Sequence, residues 1–268
     1  MRELKDQWLP AVEAGEEDFG GKADRLAFAL KAVGAGGKAL APLVAKLKAG
    51  ALQGDRRAAV LQLLGDLGGP PELGVVLDEA LNDDTPTGER AALLQSLVET
   101  SQQRKTKPAG DLSRVGALLD SDNDQLAAAA ARAAGQWGID SLRPRIVALV
   151  TPQQDWRVRQ AAFDALATMG GKENRATLAD FTTDKHSHWL RMEAAVALTA
   201  IDLNAGTQAA ADVLADLPAD VNPAGLLRPI LGRKGGPEAL AKALSDRKVE
   251  PDVAKLALRT ASSGGQQS

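Results

Sequence analysis

The chain has 268 residues, and its 32 lysines and arginines stand against 35 aspartates and glutamates for a net charge of −3. That balance argues against a nucleic-acid platform, which needs a basic surface to release counterions from phosphates. Hydrophobic residues make up 44% of the chain but aromatics only 3%, and tyrosine and cysteine are absent. The core must therefore be Leu, Val and above all Ala, and disulfides, thiolate nucleophiles, Cys-ligated zinc and thioether-linked haem are excluded within the chain.

In chain order, Arg2–Ala14 reads as a short helix with Leu4, Trp8, Leu9 and Val12 inward, followed by an acidic link, Gly15–Gly21. Lys22–Val33 and Lys38–Lys48 carry apolar residues at helical spacing on one face and are separated by a Gly-Ala-Gly-Gly turn. Asp55–Leu67 follows, then a helix opened by Pro70–Pro71, where the first-turn N–H groups have no intrahelical partner to lose. Asp84-Thr85-Pro86 caps a longer helix with Leu93, Leu94, Leu97 and Val98 inside, and the basic, polar Gln102–Gly110 is expected to be a mobile loop. Asp111–Leu119 and the alanine-rich Asp124–Trp137 form the next pair, the second so rich in alanine that its neighbours must pack almost against backbone. Ser141–Val150, Asp155–Gly170, Glu173–Phe181, Ser187–Asp202, Thr207–Leu217, Pro223–Leu231, Pro237–Leu244 and Pro251–Ala261 complete the series. Residues 1–261 thus form one array, and the Ser-, Gly- and Gln-rich 262–268 is expected to be a disordered tail.

The helices repeat. Shifting Asp155–Gly170 by thirty-two residues lays Leu190 over Val158, Arg191 over Arg159, Ala194 over Ala162 and Leu198 over Leu166. The opposite shift lands on Asn123–Gly138, and Asp55–Leu67 repeats the theme with Arg57, Val60, Leu63 and Leu64. A fixed period of this size, with links of two to eight residues and no strand-like alternation, predicts an all-α fold, an α-solenoid of about eight antiparallel helix pairs. At about 10 Å per layer the stack would be a curved rod.

The run Asp155-x-x-Val158-Arg159-x-x-Ala162-x-x-x-Leu166 resembles the second helix of a HEAT repeat in its phycobilisome-lyase form. By that resemblance this helix lines the hollow of the array, with Gln160, Asp164, Met192 and Val196 facing it. Trp8-Leu9-Pro10, Arg25 to Leu30 and Pro251 to Arg259 are similar to the HEAT segment of large planctomycete-type proteins that join a dehydrogenase-like propeller, a HEAT segment and a c-type cytochrome. That resemblance implies a linker solenoid of an exported parent. The compartment stays open: cytosolic if Met1 starts the protein, exported if the chain is a fragment. No apolar run reaches the ~18–20 residues that cross a bilayer, so no membrane insertion is expected.

Arg57, Arg159 and Arg191 recur at one repeat position, and the plain reading is that each pairs with an Asp of a neighbouring repeat or caps carbonyls. Lys185-His186-Ser187-His188 offers two imidazoles without a third ligand, so no metal is assigned. No cofactor is implied, and no Ser/His/Asp order or carboxylate pair marks a catalytic site. Trp156, Arg157, His188 and Trp189 gather at the start of two successive repeat helices. Either the tryptophans plug the gap between layers, with Arg157 lying on Trp189, or the four form a partner-binding edge. The leading expectation is a non-catalytic scaffold for a protein partner or neighbouring domains of a parent chain. The alternative is an enzyme on the same frame, either a bilin lyase or an alkylpurine DNA glycosylase using Trp156, Trp189 and Asp155.

Overall fold

The computed structural model describes residues 5–14, 16, 22–33 and 37–264. Among them are fifteen α-helices and no strand, so the all-α solenoid reading is borne out. Residues 1–4, with Leu4 of the first expected helix, the 15–21 link apart from residue 16, most of the Gly-Ala-Gly-Gly turn and the last four residues lie outside the described residues.

The chain divides into two compact units, Met1–Ala133 and Ala134–Ser268. In the first unit, α1 (Lys5–Glu13), α2 (Ala23–Val33), α3 (Ala41–Lys48), α4 (Gly54–Leu67), α5 (Pro70–Leu81) and α6 (Thr87–Arg104) run in order. Helix α4 packs against α2 and α6 as well as against its sequence neighbours α3 and α5, the two-directional contact expected of stacked helix pairs. Leu61, Leu64, Leu73, Leu77, Leu94 and Leu97 are fully buried there, each removing an aliphatic side chain from water for about 2–3 kcal/mol. The run 111–119 departs from the α-helix that its spacing suggests, because residues Leu112–Asp120 form a 3-10 helix; Asp111 starts it by accepting from the Ser113 N–H at 3.0 Å.

The polar loop after α6 also differs from expectation, since contacts to the repeat beneath it hold it in place. Helix α6 continues to Arg104, whose guanidinium donates to the carbonyls of Gly65, Asp66 and Gly68. Pro108 is buried, and the Ala109 N–H donates to the Pro70 carbonyl at 2.8 Å.

Helix α7 (Asp124–Trp137) crosses the division. The second unit then holds α8 (Arg143–Ala148), α9 (Trp156–Met169), α10 (Gly171–Phe181), α11 (His188–Ile201), α12 (Leu203–Asp216), α13 (Ala224–Leu231), α14 (Gly236–Leu244) and α15 (Pro251–Gly264). Contacts of α9 with α11, α11 with α13 and α13 with α15 make one layer, and α10 with α12 and α12 with α14 make the other. Helix α15 runs three residues past the predicted end of the array, through Ser262 and Ser263 to Gly264.

The alanine-rich surface of α7 does bring backbones together. A Cβ on Gly135 would lie 2.5 Å from Ala165 Cα, so only hydrogen fits where α7 meets α9. Gly206 does the same for α11 and α12, where a Cβ would meet the Thr199 nitrogen at 2.4 Å. Two joints of this unit consist of single residues. Gly170 ends α9 and begins α10, and Asp202 ends α11 and begins α12, its carboxylate accepting from the Ala205 N–H at 2.9 Å. The carboxylate satisfies donors that a helix start leaves free, which lets the chain turn back without a loop.

Val158, Ala162, Ala165 and Leu166 are buried as their spacing predicts. Phe163, on what looks like the other side of α9, is buried too and meets Phe181 edge-on with ring centroids 5.6 Å apart. Gln160 and Asp164 are exposed, but Met192 is not at an open surface: it is 5% exposed and belongs to a cluster with Val213, Leu214, Leu226 and Ile230. Helix α11 touches α9, α10, α12 and α13, and the side that carries Met192 is enclosed by residues of α12 and α13.

Candidate functional site

The recurrent arginines occupy one geometric position, the fourth residue after the helix cap. Arg57, Arg159 and Arg191 each donate their backbone N–H to the carbonyl of the cap residue, Gln53, Asp155 and Ser187. Each side chain then runs to a neighbouring element. Arg159 forks onto Glu193 of α11 with two bonds of 3.0 Å and donates to the Gln154 carbonyl. Arg191 donates to the Thr182 carbonyl and, at 3.0 Å, to Asp216 of α12. Arg57 bridges Glu79 of α5 and Glu89 of α6 and reaches Thr85 Oγ1. Burial disfavours the charged Arg57 guanidinium, but hydrogen bonds to the two glutamates outweigh it and its pKa is raised. For Arg159 the hydrogen bond to Glu193 raises the pKa against a smaller cost of burial.

The ladder is thus a set of ties between repeats, with glutamates as well as aspartates as partners. Sequence reasoning missed a fourth member. Arg90 sits four residues after Pro86, donates to the Ala80 carbonyl at 3.1 Å and pairs with Asp83. Its signal was the distance from the cap; the acidic Glu89 ahead of it hides the apolar-arginine pair seen at Val158-Arg159 and Leu190-Arg191.

The Trp156, Arg157, His188 and Trp189 group lies at the first turns of α9 and α11, which pack against each other in the second unit. Both tryptophans are more than half exposed, Trp156 at 54% and Trp189 at 52%. They therefore do not plug a gap between layers. Arg157 lies over the ring of Trp156, 4.8 Å from its centroid, and not over Trp189 as the layer-plugging reading placed it. Stacking on the adjacent ring keeps the guanidinium within reach of Asp155, whose carboxylate caps α9 through the Arg157 N–H at 2.8 Å. His188 lies against Trp189 with centroids 5.4 Å apart. The Ser187 side chain makes no capping bond, so the start of α11 presents its first N–H groups without that partner.

His186 and His188 do not converge. His186 rests on Phe181 at 4.8 Å, its Nε2 3.8 Å from the Asp180 carboxylate, while His188 turns to Trp189. Among the described residues no three His, Asp or Glu side chains come together in a way that would hold a metal ion. No helix among them is long and apolar enough to cross a membrane.

The family described as HEAT repeats matches residues 113–199 and, overlapping them, 154–224. Among curated proteins none matches the chain. The matched residues contain the helices α9 and α11, with their repeated arginines, and most of the second unit's two layers. Residues 113–224 thus carry HEAT-like repeats, within an all-helical architecture whose helices pack in two layers in the second unit.

Proposed function

We propose that this chain is a non-catalytic scaffold that holds a protein partner, or neighbouring domains of a longer parent chain, along the edge formed by Trp156, Arg157, His188 and Trp189. The observation that carries the reading is the exposure of two tryptophans on adjacent helix starts, whereas Trp137, Phe163 and Phe181 are buried. Large aromatic rings and arginine supply most of the energy at protein interfaces, and leaving two indoles in water is costly unless something covers them. The Arg157–Trp156 stack and the His188–Trp189 contact hold the rings in place before a partner arrives, which lowers the entropy lost on binding. Such a scaffold could serve as the interdomain segment of a propeller, HEAT and cytochrome protein of the type that Trp8-Leu9-Pro10 and Pro251 to Arg259 resemble. The Asp155 carboxylate is engaged as a helix cap, which argues against its use as a catalytic base.

The test is replacement of Trp156 and Trp189 by alanine, singly and together. Protein retained from the native host by the immobilised chain is compared between wild type and variants, with melting followed in parallel. Loss of a specific retained protein with melting nearly unchanged is the expected result. Equal retention by the double variant, or collapse of melting without a change in retention by the folded fraction, would overturn the edge as the binding surface.

A further inference from the structure

In the first unit a cleft of about 620 Å³ opens where the C-terminal ends of α3 and α5 meet the N-terminal ends of α4 and α6. It is unrelated in residues to the tryptophan edge. Its charged lining is three carboxylates, Glu79, Asp84 and Glu89, against one guanidinium, Arg57. Three negative groups less one positive leave two uncompensated charges. Arg57 engages Oε2 of Glu79 and Oε1 of Glu89, so the other oxygen of each takes no hydrogen bond among the described residues. Asp84 uses its backbone N–H to bond Asn82, and its carboxylate makes no ion pair among the described residues. The Glu79 and Glu89 side chains are only 21% and 33% exposed, so water screens them incompletely. Partly buried carboxylates that share a single counter-cation attract a second one. The volume falls in the range of about 300–1,000 Å³ usual for ligand sites. Leu47 and Pro86 add apolar wall, which suits the methylene stem of a long cationic side chain rather than a bare ion.

We infer that this cleft receives an arginine side chain of a protein partner, its guanidinium pairing with the unengaged oxygens of Glu79 and Glu89 and with Asp84. Arginine fits better than lysine because its planar fork can meet two carboxylate oxygens at once. The proposal is independent of the tryptophan edge and can fail without affecting it.

The probe is the blocked tripeptide acetyl-Ala-Arg-Ala-amide, titrated into the ¹⁵N-labelled full chain and followed by amide chemical shifts. Saturable shifts confined to Gly54 and residues 82–89 are expected, with no such response to acetyl-Ala-Glu-Ala-amide. Asp84→Asn alters an exposed link residue and should leave the fold intact while weakening the peptide about threefold to fivefold, the size of one exposed ion pair. Glu89→Gln should weaken it at least as much. Three outcomes would overturn the inference: no saturable shifts, unchanged affinity in Asp84→Asn, or spermidine saturating the same amides more tightly than the arginine peptide. The last would assign the cleft to free polyamines.

Discussion

Arg57 in the first unit and Arg159 in the second start from the same place, four residues after a helix cap, yet they close their surroundings differently. Arg159 spends both ends of its fork on one carboxylate, Glu193, and fills its remaining reach with the Gln154 carbonyl. Arg57 divides itself between Glu79 and Glu89, satisfies neither carboxylate completely, and leaves a cleft beside them. The repeat fixes where the cation stands. Whether the tie seals the gap or leaves an opening is decided by how many acids the neighbouring helices contribute. A periodic frame can thus carry a non-periodic site without changing a helix.

That contrast rests on close backbone packing in the second unit, and the largest expected effect comes from disturbing it. Gly206→Val would drive a branched side chain into the Thr199 backbone, and a loss of about 3 kcal/mol or more is expected in urea unfolding. Next comes Leu166→Ala on α9, which empties a fully buried site and should cost about 2–5 kcal/mol; a melting curve superimposed on wild type would show that the core face of α9 has been misassigned. The comparison itself is tested by removing one partner from each tie. Arg159→Ala leaves Glu193 without its bidentate partner and should cost about 1–3 kcal/mol, whereas Glu89→Gln should cost less than about 1 kcal/mol because Glu79 still holds Arg57. Equal losses would mean that the two arginine ties are energetically alike and that the cleft does not soften its own. The smallest change in stability belongs to Trp156→Ala, within about 1 kcal/mol by thermal melting, because the ring is already mostly in water.

Much of this architecture is legible in the sequence because stacked helix pairs are local and periodic. The apolar spacing of Val158, Ala162 and Leu166 and the glycine that follows specify a helix, its inner face and its end with no knowledge of distant contacts. The arginine ties are legible for the same reason, since each reaches only the adjoining repeat. Met192 was misjudged, and Phe163 left out of the inner face, because a helix enclosed on several sides buries more than one stripe, and a single-face pattern then understates what is inside. The stacked pairs at the tryptophan edge follow each other in sequence and so could be gathered into one group. Their exposure could not be read, because a tryptophan at a helix start serves equally well inside or outside. The acidic cleft was missed altogether: its residues come from four helices and the links between them, spread from Leu47 to Glu89, and only the fold brings them together.

The single-residue joints at Gly170 and Asp202 constrain how this molecule can change over evolutionary time. One residue inserted at either joint has no loop to absorb it; taken up by the adjoining helix, it would turn that helix's inner face by about 100° relative to the joint, since a helix advances 3.6 residues per turn. The six-residue connection between α10 and α11, 182–187, has room to take up such a change. Length variation among descendants of this chain should therefore collect in the 182–187 connection and avoid residues 170 and 202, so that α9 with α10 and α11 with α12 are inherited as indivisible blocks.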